Sequence, residues 1–307
     1  MKTYDVAVVG EIYVDHIFSG FAQWPKPGQE VFTDEYAQEI GGGAAITACA
    51  LGKLGRSVRI FGVVGKQEMV RIRERLSTFN VDDTGLRGLE TGTGVTVSVS
   101  THTDRSFFTY VGANHGLEEY LSEPAILRSV SAARHVHLAF PVSAPLAEVL
   151  LGDLQSAGCT TSLDVGHQVH WLLDPANRTT CSHVDFLLPN EEEAKIICGG
   201  SAEDYLAFSA THGWPSGVVK KGARGAIMRG VTGSIAVPAP AVDVMDTTGA
   251  GDAFDAGFID GLLDQEAGEE CLRRACVCGG LSTRTAGALQ GLPQRSELNQ
   301  CYQEIYG

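Results

Sequence analysis

The sequence predicts an α/β fold: a mostly parallel sheet with helices on both faces, plus a small β-sheet insert. Three observations predict it. Short apolar runs alternate with stretches of helical spacing along most of the chain, as in strands joined by crossover helices. One stretch departs from that rhythm. From 93 to 100, Val95, Val97 and Val99 alternate with Thr96, Ser98 and Ser100, and an antiparallel hairpin follows. Glycines gather at the joints between strands and helices, where the chain turns tightly or lets another group approach.

Residues 6–9 are apolar and end at Gly10, as expected of a buried parallel strand. Asp15 lies just beyond, where ligands bind in open α/β sheets. Residues 25–28 hold two prolines and a glycine and predict a turn, and 30–33 a short strand. Gly41, Gly42 and Gly43 lead into a predicted helix, 44–54, with small residues on one face. Three glycines there imply a backbone that comes close to another group. Residues 59–64 follow as a strand, 70–79 as a helix and 80–83 as its exit turn. The hairpin is 93–100, a polar tip at 101–105, and 106–111.

From 117 to 188 the alternation resumes, with helices at 118–129 and 144–157 and strands at 135–139, 160–164 and 185–188. His135 and His137 share one strand face, and His167, His170 and His183 lie close in sequence. They lack accompanying Cys or Glu at metal-ligand spacing, so packed or loop histidines are expected. Asn190 and Glu193 have capping-box spacing at the start of a helix. Strands 217–220 and 226–229 flank a tight turn between Gly222 and Gly225. A helix at 269–284 carries Ala275, Gly279 and Ser282, small enough to pack closely against a flat group.

The 307 residues predict one core domain, 1–307, with a discontinuous β lid from about 16–38 and 92–112. The net charge of −14 and the lack of a Lys/Arg run argue against nucleic acid and anionic membranes as partners. Eight cysteines without a Cys-x-x-Cys pair are expected to be buried thiols in a reducing compartment. With no signal-peptide layout and no bilayer-length apolar run, a cytoplasmic location is expected.

The stretch that carries chemistry is Asp246 to Asp252, Asp-Thr-Thr-Gly-Ala-Gly-Asp. It follows an apolar segment and precedes helical spacing at Phe254, Phe258, Leu262 and Leu263. Its glycines therefore sit at a helix mouth, where unpaired N–H groups and the positive dipole end suit an anion. Asp252 falls at the first turn, where the dipole is expected to keep its carboxylate ionised and able to accept a proton. A glycine-rich turn capped by Asp252 would look the same in isolation.

That heptad, followed by Ala-Phe, closely resembles the C-terminal signature of the ribokinase-like (PfkB) carbohydrate kinases, and the resemblance covers nearly the whole chain. It implies a ribokinase-like fold and ATP-dependent phosphorylation of a hydroxyl on a small sugar or sugar-like molecule. Asp252 is then the general base, and the backbone of Gly249, Ala250 and Gly251 holds the transferring phosphoryl group. Asp15, with Gly41 and Gly42, contacts the sugar. Tyr13 and Ile46 stand where many members carry Asn, and Lys66 where many carry an acid. Arg105 is within reach of the substrate from the lid. Asn190 and Glu193 organise Mg²⁺ through water, with the ATP phosphates. Lys220 (often Thr in relatives), Gly222, Gly225, Cys276 (often Asn) and Gly279 flank the nucleotide. Asp246 and Thr248, with the loop 285–291, are implied to bind a monovalent cation such as K⁺. The family also implies a homodimer through the lid. Tyr13 and Ile46 leave a nucleoside kinase open, since the two side chains would flank a base. The losses at 13, 46 and 66 leave open a non-catalytic sugar or nucleotide sensor. A dinucleotide dehydrogenase lacks its third glycine here, and no P-loop motif occurs.

Overall fold

The computed structural model describes residues 2–307 except 102–103, 167, 215–216 and 232. Among the described residues the strands begin with β1 (Tyr4–Gly10), β2 (Tyr13–Phe21), β3 (Glu35–Gly41), β4 (Val58–Gly65) and β5 (Val81–Leu89). They continue as β6 (Gly94–Thr101), β7 (Arg105–Tyr110), β8 (Ala133–Ala139), β9 (Thr160–Leu163) and β10 (Phe186–Leu187). β11 (Val218–Lys220), β12 (Ala226–Arg229) and β13 (Ser234–Val237) come last.

Six strands form the central sheet in the order β10-β9-β8-β1-β4-β5, all parallel. β1 lies inside it, with Val8 opposite Ile60 on one side and His137 on the other. Its side chains alternate between two apolar cores. Ala7 and Val9 join Leu146, Leu150 and Ile197 from helices Ala144–Ser156 and Glu191–Cys198. Val6 and Val8 join Ala48, Leu51, Ala256 and Ile259 from helices Gly43–Lys53 and Ala250–Leu263. Helices therefore cover both faces, and the continuous apolar run of β1 follows from that double burial.

β11, β12 and β13 make a small antiparallel sheet. Bridges from Leu187 to Gly217 and from Asn190 to Lys220 bring it alongside β10. β3-β2-β6-β7 form a four-stranded sheet in which only the β2–β6 pair is parallel. β6 and β7 are the hairpin expected from the alternating valines.

The structure departs from the sequence reading in several places. Residues 30–33 are largely exposed and form no strand; β3 begins at Glu35, where the chain gains β2 as a partner. Asp15 is inside β2, not in a loop after β1. Asn80 turns the chain with a φ of 58°, but Val81 already starts β5. Pro124, whose ring cannot continue a preceding helix, splits the expected helix into Leu117–Leu121 and Pro124–Val130. His135 and His137 bond to Thr160 and Ser162 on neighbouring β9, and His167 lies outside the described residues. No helix among the described residues is long and apolar enough to cross a membrane.

Candidate active site

A cleft of about 900 Å³ opens at the C-terminal ends of the central strands. Its floor is the mouth of helix Ala250–Leu263. Gly249 caps that helix in the left-handed region at φ 75°, a conformation that suits glycine. A Cβ there would meet Ala288 at 2.8 Å and Ile46 Cγ2 at 3.2 Å. Buried Ile46 thus supports the turn from behind. The Ala250 N–H donates to Thr247 O at 3.2 Å. The Gly249 and Gly251 N–H groups have no protein acceptor among the described residues, so they are free for an anion.

Asp252, in the first turn, stands against Gly43: a Cβ at Gly43 would lie 3.0 Å from Asp252 Oδ1. Burial, then the charge of Asp164, push its carboxyl up to about 7. The expected dipole stabilisation and Lys220 oppose this but are outweighed. A carboxylate poised near neutrality is matched to general-base work.

Lys220 ends β11 on the cleft wall. Its Nζ donates to Asp164 Oδ2 at 2.6 Å and to Asp255 Oδ1 at 3.2 Å, and a Cβ on Gly251 would be 3.5 Å away. Burial alone would depress Lys220, but the two carboxylates hold it charged. Burial likewise opposes ionisation of Asp164, yet Lys220 keeps it well below the usual carboxylate range.

Asn190 and Glu193 form the reciprocal capping box. Asn190 Oδ1 accepts from the Glu193 N–H at 3.0 Å, and Glu193 Oε2 accepts from the Asn190 N–H at 2.9 Å. Both line the cleft. Burial and the charge of Asp164 push Glu193 up to about 7. The Glu193 carboxylate and the Asn190 amide oxygen at a capped helix mouth fit a hydrated Mg²⁺.

Glu11 and Gly43 line the cleft, whereas Tyr13, Asp15, Gly41 and Gly42 lie next to it in the chain and outside its lining; Gly41 is needed because a Cβ would lie 2.0 Å from Asp15 Oδ2. At Gly42, with φ 90°, it would lie 2.4 Å from Glu11 O. Burial and Glu39 push Asp15 up to about 6. Tyr13 OH donates to Glu11 Oε2 at 2.8 Å, so its polar tip is already engaged. Asn114 bonds both N–H and C=O of Ile12 and fixes the β1–β2 joint.

Arg105 is engaged by the protein itself: from β7 it reaches the loop before helix Ala250–Leu263, donating through Nη1 to Asp246 Oδ1 at 2.8 Å and to Thr248 Oγ1 at 2.6 Å. Asp246 also accepts the Thr248 and Gly287 N–H groups. Despite burial, these bonds, led by Arg105, pull its carboxyl down to about 2.

The expected nucleotide wall is tight. Gly222 and Gly225 have φ 57° and 87°, and a Cβ on Gly225 would lie 1.9 Å from Val237 O. One on Gly279 would lie 3.1 Å from Ala250 O. The Cys276 thiol is buried against Val237. Lys66 is exposed and pairs with Glu90.

Sequence reasoning missed Glu11, Asp164 and Asp255. Asp164 was findable from its place at the end of a predicted strand. Asp255 was findable as the residue one turn after Asp252.

A family model described as pfkB family carbohydrate kinase matches residues 4–295. The chain belongs to this family. It is 26% identical to a Haemophilus influenzae ribokinase over 307 residues, covering 95% of this chain and 96% of that one. It is 30% identical to an ATP-dependent ribose-1-phosphate kinase of Halopiger xanaduensis, over 86% and 87% of the two chains. The solved Arabidopsis thaliana ribokinase, complexed with ribose and ATP, superposes with a TM-score of 0.87 at 25% identity over 99% of each chain. The protein is thus a phosphotransferase of the sugar-kinase type, acting with ATP on a sugar or nucleoside.

Proposed function

We propose that Asp252 removes the proton from an acceptor hydroxyl while the Gly249 and Gly251 N–H groups, in the turn continued by Ala250, receive the charge of the transferring phosphoryl group. The observation that carries this reading is a carboxyl held near 7 beside two unpaired N–H groups at a helix mouth. The acceptor lies between Asp252 and the wall of Asp15, Tyr13, Gly41 and Gly42, with Ile46 behind the turn. ATP lies along Asn190, Lys220, Gly222, Gly225, Cys276 and Gly279. Mg²⁺ held through water by Glu193 and Asn190 neutralises phosphate charge when bound. Arg105 ties the four-stranded sheet, acting as a lid, to the catalytic loop. Backbone oxygens near Asp246 and Thr248 offer a place for K⁺.

Two acids, Glu11 and Asp252, line the cleft, and Asp15 lies against Gly41, which favours an uncharged sugar over a phosphosugar. A nucleoside remains the second reading, favoured by the apolar surface of Tyr13 and Ile46. ADP release over a panel of sugars and nucleosides separates the two. Silence across the panel, with ligand binding retained, would leave a sensor.

The lid also exposes more than half of Tyr36, Phe107, Phe108 and Tyr110, which supports a homodimer through that sheet. Light scattering of the protein with Phe108→Ser tests it. Cys49, Cys159, Cys271, Cys276 and Cys278 are buried free thiols, which supports a reducing, cytoplasmic location.

A further inference from the structure

Three charged side chains meet below the phosphoryl turn, and two of them were not anticipated. Lys220 Nζ lies 2.6 Å from Asp164 Oδ2, and 3.2 and 3.4 Å from the two oxygens of Asp255. Asp255 has no solvent exposure. The two carboxyl groups share this one ammonium and lie within hydrogen-bond reach of each other. Carboxylates in contact cannot both ionise away from water, and a hydrogen bond between them requires a proton.

We propose that Asp255 is a neutral carboxylic acid that donates its proton to Asp164, and that this acid pair aims the Lys220 ammonium at the phosphoryl group in the turn. Asp255 is then a positioning residue for the transfer, and Lys220 supplies the fixed cation. The inference rests on the kinase reading above.

The count of donors and charges fits. One proton between two acids leaves a single negative charge, which the ammonium balances inside the fold. Lys220 has three N–H donors. Two are held by Asp164 and Asp255, and the third is free for the anion side, where Gly251 lies within 3.5 Å of Nζ by its built Cβ. Gly251 has no side chain to block that approach. Asp255 is also one helical turn from Asp252, so both project from the same face of helix Ala250–Leu263. The other titratable groups facing the cluster are Asp252 on that helix, Glu193 on helix Glu191–Cys198 and His137 on β8. Burial pushes Asp255 well above its ordinary value, in agreement with the geometry.

The test compares calorimetric binding of MgADP with that of MgADP plus aluminium fluoride, which mimics the transferring phosphoryl group. Wild type should bind the fluoride complex much more tightly. Asp255→Val should lose about 10–100-fold of that gain while MgADP affinity stays within about threefold, and Lys220→Met should lose at least as much of the gain, since a charge-assisted hydrogen bond is at stake. Asp255→Asn should keep most of the gain, because its amide N–H replaces the acid O–H. Infrared spectra at pH 9 should show a buried protonated-carboxyl band that disappears in Asp255→Asn. The proposal is overturned if Asp255→Val keeps the gain, if Asp255→Asn loses as much as Val, or if the band is missing. If Asp255→Val does not fold, the Asn variant and the infrared band decide alone. Failure of the wild type to bind MgADP at all would instead overturn the kinase reading.

Discussion

Replacing Asp252 by Asn keeps the shape of the side chain and removes its basicity. The loss expected for a general base is about 10²–10⁴-fold in kcat. The structure adds a pH signature. With the carboxyl near 7, kcat/KM of the wild type should rise with pH and level off above neutrality. From pH 7 to pH 6 it should fall about fivefold, following the ionised fraction. The residual activity of Asp252→Asn should lack that limb.

Stability should move the other way. The folded-state value lies above the ordinary 3.8, so the folded protein holds the proton more tightly than the unfolded chain. That contribution is fully present below about pH 4 and is lost as pH rises through about 7. Its ceiling is about 4 kcal/mol, reduced because the side chain keeps some contact with solvent. Asp252→Asn should therefore melt higher than wild type at pH 8 and match it at pH 4. The assays are coupled ADP release across pH and thermal melts at the two pH values. Turnover within about tenfold of wild type, or equal melting temperatures at pH 8, would refute the reasoning.

Other expectations follow from the same geometry. Gly41→Ala places a methyl 2.0 Å from Asp15 Oδ2 and should raise the acceptor KM at least about tenfold, with the ATP KM unchanged in steady-state kinetics. Arg105→Met removes the bonds to Asp246 and Thr248; kcat/KM should fall about 10–100-fold while the thermal melt hardly moves. Asp260 is fully buried among Arg56, Arg274 and Arg295, so Asp260→Ala leaves guanidinium groups without their counter-charge. It should cost about 3–5 kcal/mol, read from urea unfolding midpoints. Chelation with EDTA should abolish turnover and added Mg²⁺ restore it, checked in the same ADP-release assay.

The central architecture was legible because its signals are local. Val6–Val9 is apolar throughout since helices cover both sheet faces; the alternation of Val95, Val97 and Val99 marks a strand, although in β6 the valines are half-buried and Ser98 on the other face is buried. The glycine turn at the mouth of helix Ala250–Leu263 was legible because the helix start and its glycines are adjacent in sequence. What could not be read depends on contacts far apart in the chain. Tyr13 stands only four positions after Val9, and β2 is recognised as a strand through β3 and β6, not through its own spacing. The raised carboxyl of Asp252 depends on Asp164, 88 positions earlier, and on burial that no local pattern reports. The bond from Arg105 to Asp246 could not be read because nothing nearby in sequence names that partner.

That last contact has a kinetic consequence. A single guanidinium joins the four-stranded sheet, the proposed lid, to the loop that feeds the helix mouth, and also supplies the charge beside Asp246. With the sheet acting as that lid, an acceptor of the wrong size would hold it ajar and leave the loop without its counter-ion. Such a molecule could still dock well. It would be rejected by slow turnover, so discrimination belongs to the step after docking.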